Sequence, residues 1–330
     1  MIGYFNRSVM TDTTRPKRYR MVSKYYKETY GEKVYKLPVA LPLTCPNRDG
    51  SAGVGGCTFC GEIGAGYENR PAWMTVRMQL EENIAHIGPK YKAKKFIPYY
   101  QNFSNTYLNL DDFKSYIEQG CIDEAVGIAI ATRPDCIADE YLEILTDIRD
   151  RFHKDIYIEL GLQTVNYDTL EKINRGHDLA QFIDAVLRIK RYGFNITTHM
   201  IVNLPWDTMK DTIEGARILS ALGVDQVKLH ALYIVKNTLM AKWYQEGQFT
   251  LISAEEYADR VVNFVRHLHP DIVLQRLVGR APEDNTLFTN WSMGWWRVQD
   301  LIDDKLDELD AHQGDLCDYL NGKAVRKFID

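Results

Sequence analysis

Three cysteines, Cys45, Cys57 and Cys60, fall within sixteen residues, in the stretch CPNRDGSAGVGGCTFC. Thiolates at a C-x-x-C spacing reach one metal centre without strain, and a third arriving from a glycine-rich loop completes three ligands on one face. Gly50, Gly53, Gly55 and Gly56 let that loop wrap a bulky object and offer backbone N–H groups to its sulfurs. Tetrahedral zinc asks for a fourth protein ligand close by. The nearest histidine is His86, and no fourth cysteine lies near. Three thiolates without a local fourth suit a cubane iron–sulfur cluster with one iron left open to a small molecule. A structural zinc recruiting a distant histidine, and plain buried cysteines, stand as alternatives. Cys121, Cys136 and Cys317 are scattered, show no second-cluster spacing, and read as free thiols.

The elements that must carry this loop alternate in type. Short β-branched runs at 34–41, 94–100, 125–131, 155–160, 195–202 and 225–232 read as strands, with a seventh at 272–277. Amphipathic stretches at 75–87, 110–119, 139–151, 167–173, 179–192, 209–222 and 254–268 read as helices. Ser253 with Glu256 marks a helix start, and Gly193 and Gly223 mark helix ends. Strict alternation predicts parallel strands with right-handed crossovers, in a doubly wound sheet or a whole or partial barrel. No G-x-G-x-x-G follows the first strand; the cysteine loop does, at the strand end where barrels carry their chemistry.

At 45% hydrophobic over 330 residues, the chain can bury a large core, which excludes global disorder. It holds no uncharged apolar run of the ~18 residues a spanning helix needs. MIGYFNRSVMTDTTRPKRYR carries no apolar run after its charges, so the expectation is a cytoplasmic protein without a secretory signal. Charge is unevenly spread. Residues 1–36 hold nine Lys/Arg, among them Arg7, Arg15, Lys17, Arg18 and Arg20, against Asp12, Glu28 and Glu32. That formal +6 leaves −11 for the remaining 294 residues of a chain whose net charge is −5. Interleaved tyrosines make the arm a candidate phosphate-backbone contact; the alternative is a helix whose tyrosines pack on the body. Asp300, Asp303, Asp304, Asp307, Glu308 and Asp310, with apolar residues at helical spacing, predict a surface helix with an acidic face. Trp291, Trp295, Trp296 and Met293 read as core or barrel-closing contacts.

A three-cysteine loop directly after the first strand of a β/α repeat resembles the radical S-adenosylmethionine enzymes. The spacing C-x11-C-x2-C departs from the commoner C-x3-C-x2-C and is similar to the elongated loop of elongator catalytic-subunit relatives. CPNRDGSAGVGGCTFC, YYQNFSNTY, ATRPDCI, ELGLQTVNYDTLEKINRGHD and VKLHALYIVKNT together look like a bacterial branch of that group, the YhcC/YtqA-like proteins. The likeness runs from about Tyr19 to Gly314. It implies an α/β fold, a partial (β/α)6 TIM-type barrel at 34–270, with a basic N-terminal extension at 1–33 and a C-terminal extension at 271–330 packing on it.

The resemblance also implies the chemistry. Cys45, Cys57 and Cys60 would hold a 4Fe–4S cluster whose open iron takes S-adenosylmethionine. An electron donor such as flavodoxin or ferredoxin would drive cleavage to a 5′-deoxyadenosyl radical. Gln101, Asn102, Ser104 and Asn105 would meet the methionine part, and Arg133 its carboxylate. Glu159 and Gln163 would meet the ribose and amino group, with His199 and Asn203 on and after the fifth strand. Leu229 to Tyr233 would flank adenine. The expected substrate is the wobble uridine of tRNA, with 5-carboxymethylaminomethyl(-2-thio)uridine converted to 5-aminomethyl(-2-thio)uridine. Lys17, Arg18 and Arg20 would grip the anticodon arm, and Lys236, Arg276 and Arg280 would meet substrate phosphate. A radical enzyme acting on a small metabolite and a non-catalytic zinc protein are the alternatives.

Overall fold

The computed structural model describes residues 16–62, 64, 68–280 and 285–329. Arg7, Asp12 and Arg15 of the basic arm lie outside the described residues. Seven strands form one sheet: β1 (Val34–Val39), β2 (Lys95–Tyr100), β3 (Gly127–Thr132), β4 (Asp155–Gln163), β5 (Asn195–Ile201), β6 (Gln226–His230) and β8 (Val273–Arg276). They lie in chain order and every pairing is parallel. The sheet curls into a half-barrel. Its two edge strands face each other at one point, where Lys36 Nζ of β1 donates to Gln275 Oε1 of β8 at 3.0 Å. β7 (Ile234–Val235) and β9 (Thr286–Phe288) pair antiparallel beyond the rim. The sheet therefore takes in Val273–Arg276, inside the segment expected as a C-terminal extension.

The helices are α1 (Val22–Tyr30), α2 (Pro46–Asp49), α3 (Val76–Tyr91), α4 (Leu110–Gln119), α5 (Asp139–Phe152), α6 (Tyr167–Lys172), α7 (Leu179–Arg191), α8 (Met209–Leu222), α9 (Leu239–Gln245), α10 (Ala254–His267) and α11 (Trp295–Glu308). Sequence periodicity placed α4 and α8 to the residue. Ser253 caps α10 by accepting the Glu256 N–H at 3.1 Å, and Gly223 closes α8 at φ 62°. One large apolar cluster fills the space between sheet and helices, including Leu37, Phe113, Ile158, Phe182, Val227 and Val261. None of the described helices is long and apolar enough to cross a membrane.

The inner face of the sheet is stratified. Its lower layer, toward the strand N-termini, is Ile97, Ala129 and Tyr157, against which Tyr26 of α1 is buried. α1 thus plugs the bottom of the barrel. The chain leading into it is stitched to β8: Leu274 N donates to Arg20 O at 2.8 Å. Burial of Tyr26 and the stacking of Tyr35 on Tyr91 follow from an arm whose tyrosines pack on the body.

The basic arm and the acidic helix explain each other. Lys17 pairs with Asp303 of α11, and Arg18 with Asp307 and Asp310. Arg20 donates to Asp271 O at 2.6 Å, beside the start of β8 and at the opposite end of the barrel from the cysteine loop. These three residues serve intramolecular ion pairs and hydrogen bonds, where the expectation had them grip RNA. Asp303, 5% exposed, meets Lys17, the Tyr19 hydroxyl and Gln299. Asp303→Ala is expected to lower stability by about 1–3 kcal/mol, because buried donors lose their acceptor. A lowered urea midpoint with an unchanged m-value would show it; an unshifted midpoint would refute the role assigned to the pair.

Candidate active site

A cavity of about 480 Å³ opens at the C-terminal ends of the strands. Cys45, Cys57 and Cys60 line one side of it. Gly50, Gly55 and Gly56 take φ of 95°, 81° and 77°, the left-handed region that lets the loop double back around its sulfurs. A turn at 173–176 clamps the loop. Asn47 Nδ2 donates to Asn174 O at 2.6 Å, Asn174 Nδ2 to Gly56 O at 2.8 Å, and Thr58 N to Ile173 O at 3.0 Å. A Cβ on Gly176 would stand 2.4 Å from Asn47 Oδ1, so only glycine fits there.

Each sulfur meets a polar donor. Arg48 Nη2 lies 3.2 Å from Cys60 Sγ and Arg175 Nη1 3.4 Å from Cys57 Sγ. Asn47 Nδ2 is 3.7 Å from Cys57 Sγ, and Ser104 Oγ 4.0 Å from Cys45 Sγ. Burial, then the neighbouring Cys57, pushes the Cys60 thiol up, while Arg48 pulls it down. Guanidinium and amide donors on Cys57 and Cys60, and a hydroxyl near Cys45, are surroundings that suit bound thiolates. Among the described residues, no three His, Cys, Asp or Glu side chains converge on a point that one metal ion would occupy. Sulfurs spread around a common hollow suit a polynuclear cluster better than a single ion.

Of the expected contacts, Gln101, Ser104, Arg133, Glu159, Gln163, His199, Tyr233, Arg276 and Arg280 line the cavity. Gln163 is re-aimed by a β-bulge against β5 and sits at φ 79°, an uncommon conformation for a residue with a side chain. Arg133 is already committed. Its Nε and Nη2 meet Asp135 at 2.9 and 2.7 Å, and its Nη1 donates to Arg175 O at 2.8 Å. Four expected residues stand behind the wall. Asn102 Oδ1 accepts from Leu41 N at 3.4 Å, and Asn105 donates to Tyr100, Asn102 and Ala131 carbonyls. Asn203 Oδ1 accepts from Leu232 N at 2.6 Å, and Leu229 is core. None of the four is among the residues lining the cavity. Lys236 is exposed and lines a neighbouring cleft with Arg48 and Glu62.

Deeper in the lumen is a charged cluster that strand-end reasoning overlooked. Glu159, with a fully buried side chain, meets Lys36, Lys228 at 3.4 Å, His199 at 2.6 Å and Gln275 at 3.4 Å. The ammoniums of Lys36 and Lys228 also lie 4.9 and 4.6 Å from the Tyr99 ring centroid. Burial works to raise the Glu159 carboxyl, yet Lys228, Lys36 and His199 hold it well below its usual range. Burial pushes Lys228 down to about 7 against the pull of Glu159. Burial, then Lys228, lowers His199 to about 4. The signal for Lys36 and Lys228 was present: each is a charge inside a strand that must be buried on both faces. Arg48 and Arg175 sat unassigned in CPNRDG and INRGHD.

The comparisons agree with this geometry. The Radical SAM superfamily model matches residues 46–219, and the Radical_SAM C-terminal domain matches 224–308. Uncharacterized protein YtqA of Bacillus subtilis is 32% identical over 312 residues, covering 94% of this chain and 96% of that protein. The tRNA uridine(34) acetyltransferase of Dehalococcoides mccartyi is 24% identical over 145 residues, 43% of this chain and 30% of its own. The archaeal Methanocaldococcus infernus Elp3 structure superposes with a TM-score of 0.65 at 13% identity, covering 85% of this chain and 64% of that one. The chain belongs to the radical SAM superfamily, in the branch that contains YtqA and is related to elongator catalytic subunits. It is a radical SAM enzyme, with a 4Fe–4S cluster and S-adenosylmethionine as its cofactors.

Proposed function

We propose that the enzyme modifies the wobble uridine of tRNA, removing the carboxymethyl part of a 5-carboxymethylaminomethyl side chain to leave 5-aminomethyluridine, with or without the 2-thio group. Cys45, Cys57 and Cys60 hold the cluster. When bound and reduced, the cluster supplies the electron that cleaves S-adenosylmethionine to methionine and a 5′-deoxyadenosyl radical. Gln101, Ser104, Glu159, Gln163 and His199 are the candidates to orient S-adenosylmethionine, from the loop after β2 and from within β4 and β5. The closed lower layer and α1 exclude water from below. Exposed Lys236 and Arg280 stand near the mouth, where backbone phosphate would lie. A flavodoxin or ferredoxin serves as electron donor.

The observation that carries this reading is the cavity itself: cluster ligands on one side, a cation-rich lumen on the other. The similarity to an enzyme named for uridine 34 of tRNA supports the substrate. The reading is tested by mass spectrometry of wobble nucleosides in tRNA from cells lacking the gene. Carboxymethylaminomethyl nucleosides should accumulate while aminomethyl ones disappear. An unchanged profile would turn the argument to a small-metabolite substrate, which the internal neutralisation of Lys17 and Arg18 already favours.

A further inference from the structure

Glu159, His199, His230 and Arg276 form a chain whose proton positions are fixed by its end. The Glu159 carboxylate accepts from His199 Nε2–H at 2.6 Å. His199 Nδ1 is then an acceptor, and takes the proton of His230 Nε2 at 3.2 Å. His230 Nδ1 in turn accepts from Arg276 Nη2 at 2.6 Å. The two rings stack at 5.2 Å and 22°. Burial, then Arg276, keeps His230 uncharged.

The far end of the chain has no direct ion-pair partner among the described residues, and Tyr99, Tyr233, Glu159 and Glu68 act on it only at a distance. Among the described residues, Arg276 meets no carboxylate within salt-bridge distance, and its hydrogen-bond partner is the His230 ring. Its Nε is buried with no partner, and the side chain lines the cavity. A half-buried guanidinium left so, with its Nε fully shielded, favours an arriving anion. Lys36 and Lys228 share Glu159 and are not in the same state.

We propose that Arg276, steadied by this relay, receives a carboxylate carried by the substrate's side chain. The free edge of a guanidinium matches a flat two-oxygen anion in a bidentate pair. Backbone phosphate is the other source of such an anion in an RNA, but Arg276 sits on β8 inside the lumen, whereas exposed Arg280 and Lys236 hold the mouth. The name of the substrate rests on the tRNA reading above; the anion receptor does not.

The test compares tRNA bearing carboxymethylaminomethyluridine with tRNA bearing aminomethyluridine at the wobble position, bound anaerobically to the cluster-loaded enzyme. The wild type should favour the carboxylate by tenfold or more, a difference of ~1.4 kcal/mol. Arg276→Gln should lose that preference and keep its affinity for the aminomethyl form. Arg276→Lys, which keeps the charge without the fork, should retain part of it and guards against misfolding. Equal weakening toward both tRNAs would mean a phosphate contact and overturn the proposal, as would an intact preference in Arg276→Gln. If the wild type binds neither tRNA, the tRNA reading falls and N-methylglycine decides the receptor. It should raise the melting temperature of the wild type and not of Arg276→Gln, with methylamine inert toward both. A rise of the same size in both proteins would overturn the receptor.

Discussion

Cys57→Ala is expected to yield a colourless protein after anaerobic reconstitution, with iron falling from about four per chain to background. Cys57 is buried, and it is the sulfur that receives two donors, from Arg175 at 3.4 Å and Asn47 at 3.7 Å. Its removal strips the cluster of a ligand and leaves a guanidinium facing a hole. With dithionite and S-adenosylmethionine, 5′-deoxyadenosine should fall to background as well. Cys136→Ala is the informative contrast. Burial, then Asp135, pushes that thiol up to about 12, and its side chain is not among those lining the cavity. That variant should stay brown. Arg175→Met should load iron less tightly, by about 10–100-fold, as loss of a residue supporting the ligands does. A brown Cys57→Ala with full sulfide content would refute the ligand assignment.

The fold was legible because its signals are local. Strand runs, the Ser253 cap and the Gly223 stop each act within a few residues, and α4 and α8 fall where periodicity put them. The cysteine trio was legible for the same reason. What escaped depends on where strands land beside one another. Lys36 on β1 reaches Glu159 on β4 only because the sheet curls enough to bring the two across the lumen. The Glu159–His199–His230–Arg276 chain spans four strands and 118 positions of sequence, and nothing near any one of them announces the others. Asn102, Asn105 and Asn203 have structural partners that the sequence did not announce. An amide after a strand satisfies backbone groups of a neighbouring strand or loop as readily as a ligand, and here all three do so, at Leu41, Ala131 and Leu232. The ion pairs of the basic arm escaped because their partner, α11, lies nearly 300 residues away in sequence.

Glu159→Gln is expected to cost roughly 3–5 kcal/mol, since breaking a buried ion pair leaves its partners as uncompensated charges. Here one carboxylate answers two ammoniums, and among the described residues Lys36 and Lys228 have no other carboxylate within 4.0 Å. The pH dependence gives the loss a signature. Glu159 is held below its usual range, so its contribution is present above the unfolded carboxyl value near 4.3 and is lost as pH falls through the lower folded value. Lys228 runs the other way. Its folded value is about 7 and its unfolded value about 10.4, so between them the unfolded chain binds more protons and stability climbs with pH. Without Glu159, Lys228 loses the attraction that opposes burial and drops further. The climb should then begin at lower pH and be larger overall. Urea unfolding at pH 6, 7.5 and 9 reads this directly. Glu159→Gln should gain more stability across that series than the wild type, and parallel curves would mean that Lys228 does not depend on Glu159 for its charge. The same variant also frees the His199 tautomer, because an amide either donates or accepts where the carboxylate only accepts. The order of protons that steadies Arg276 is thereby lost, so the carboxylate preference of the site should weaken along with the fold.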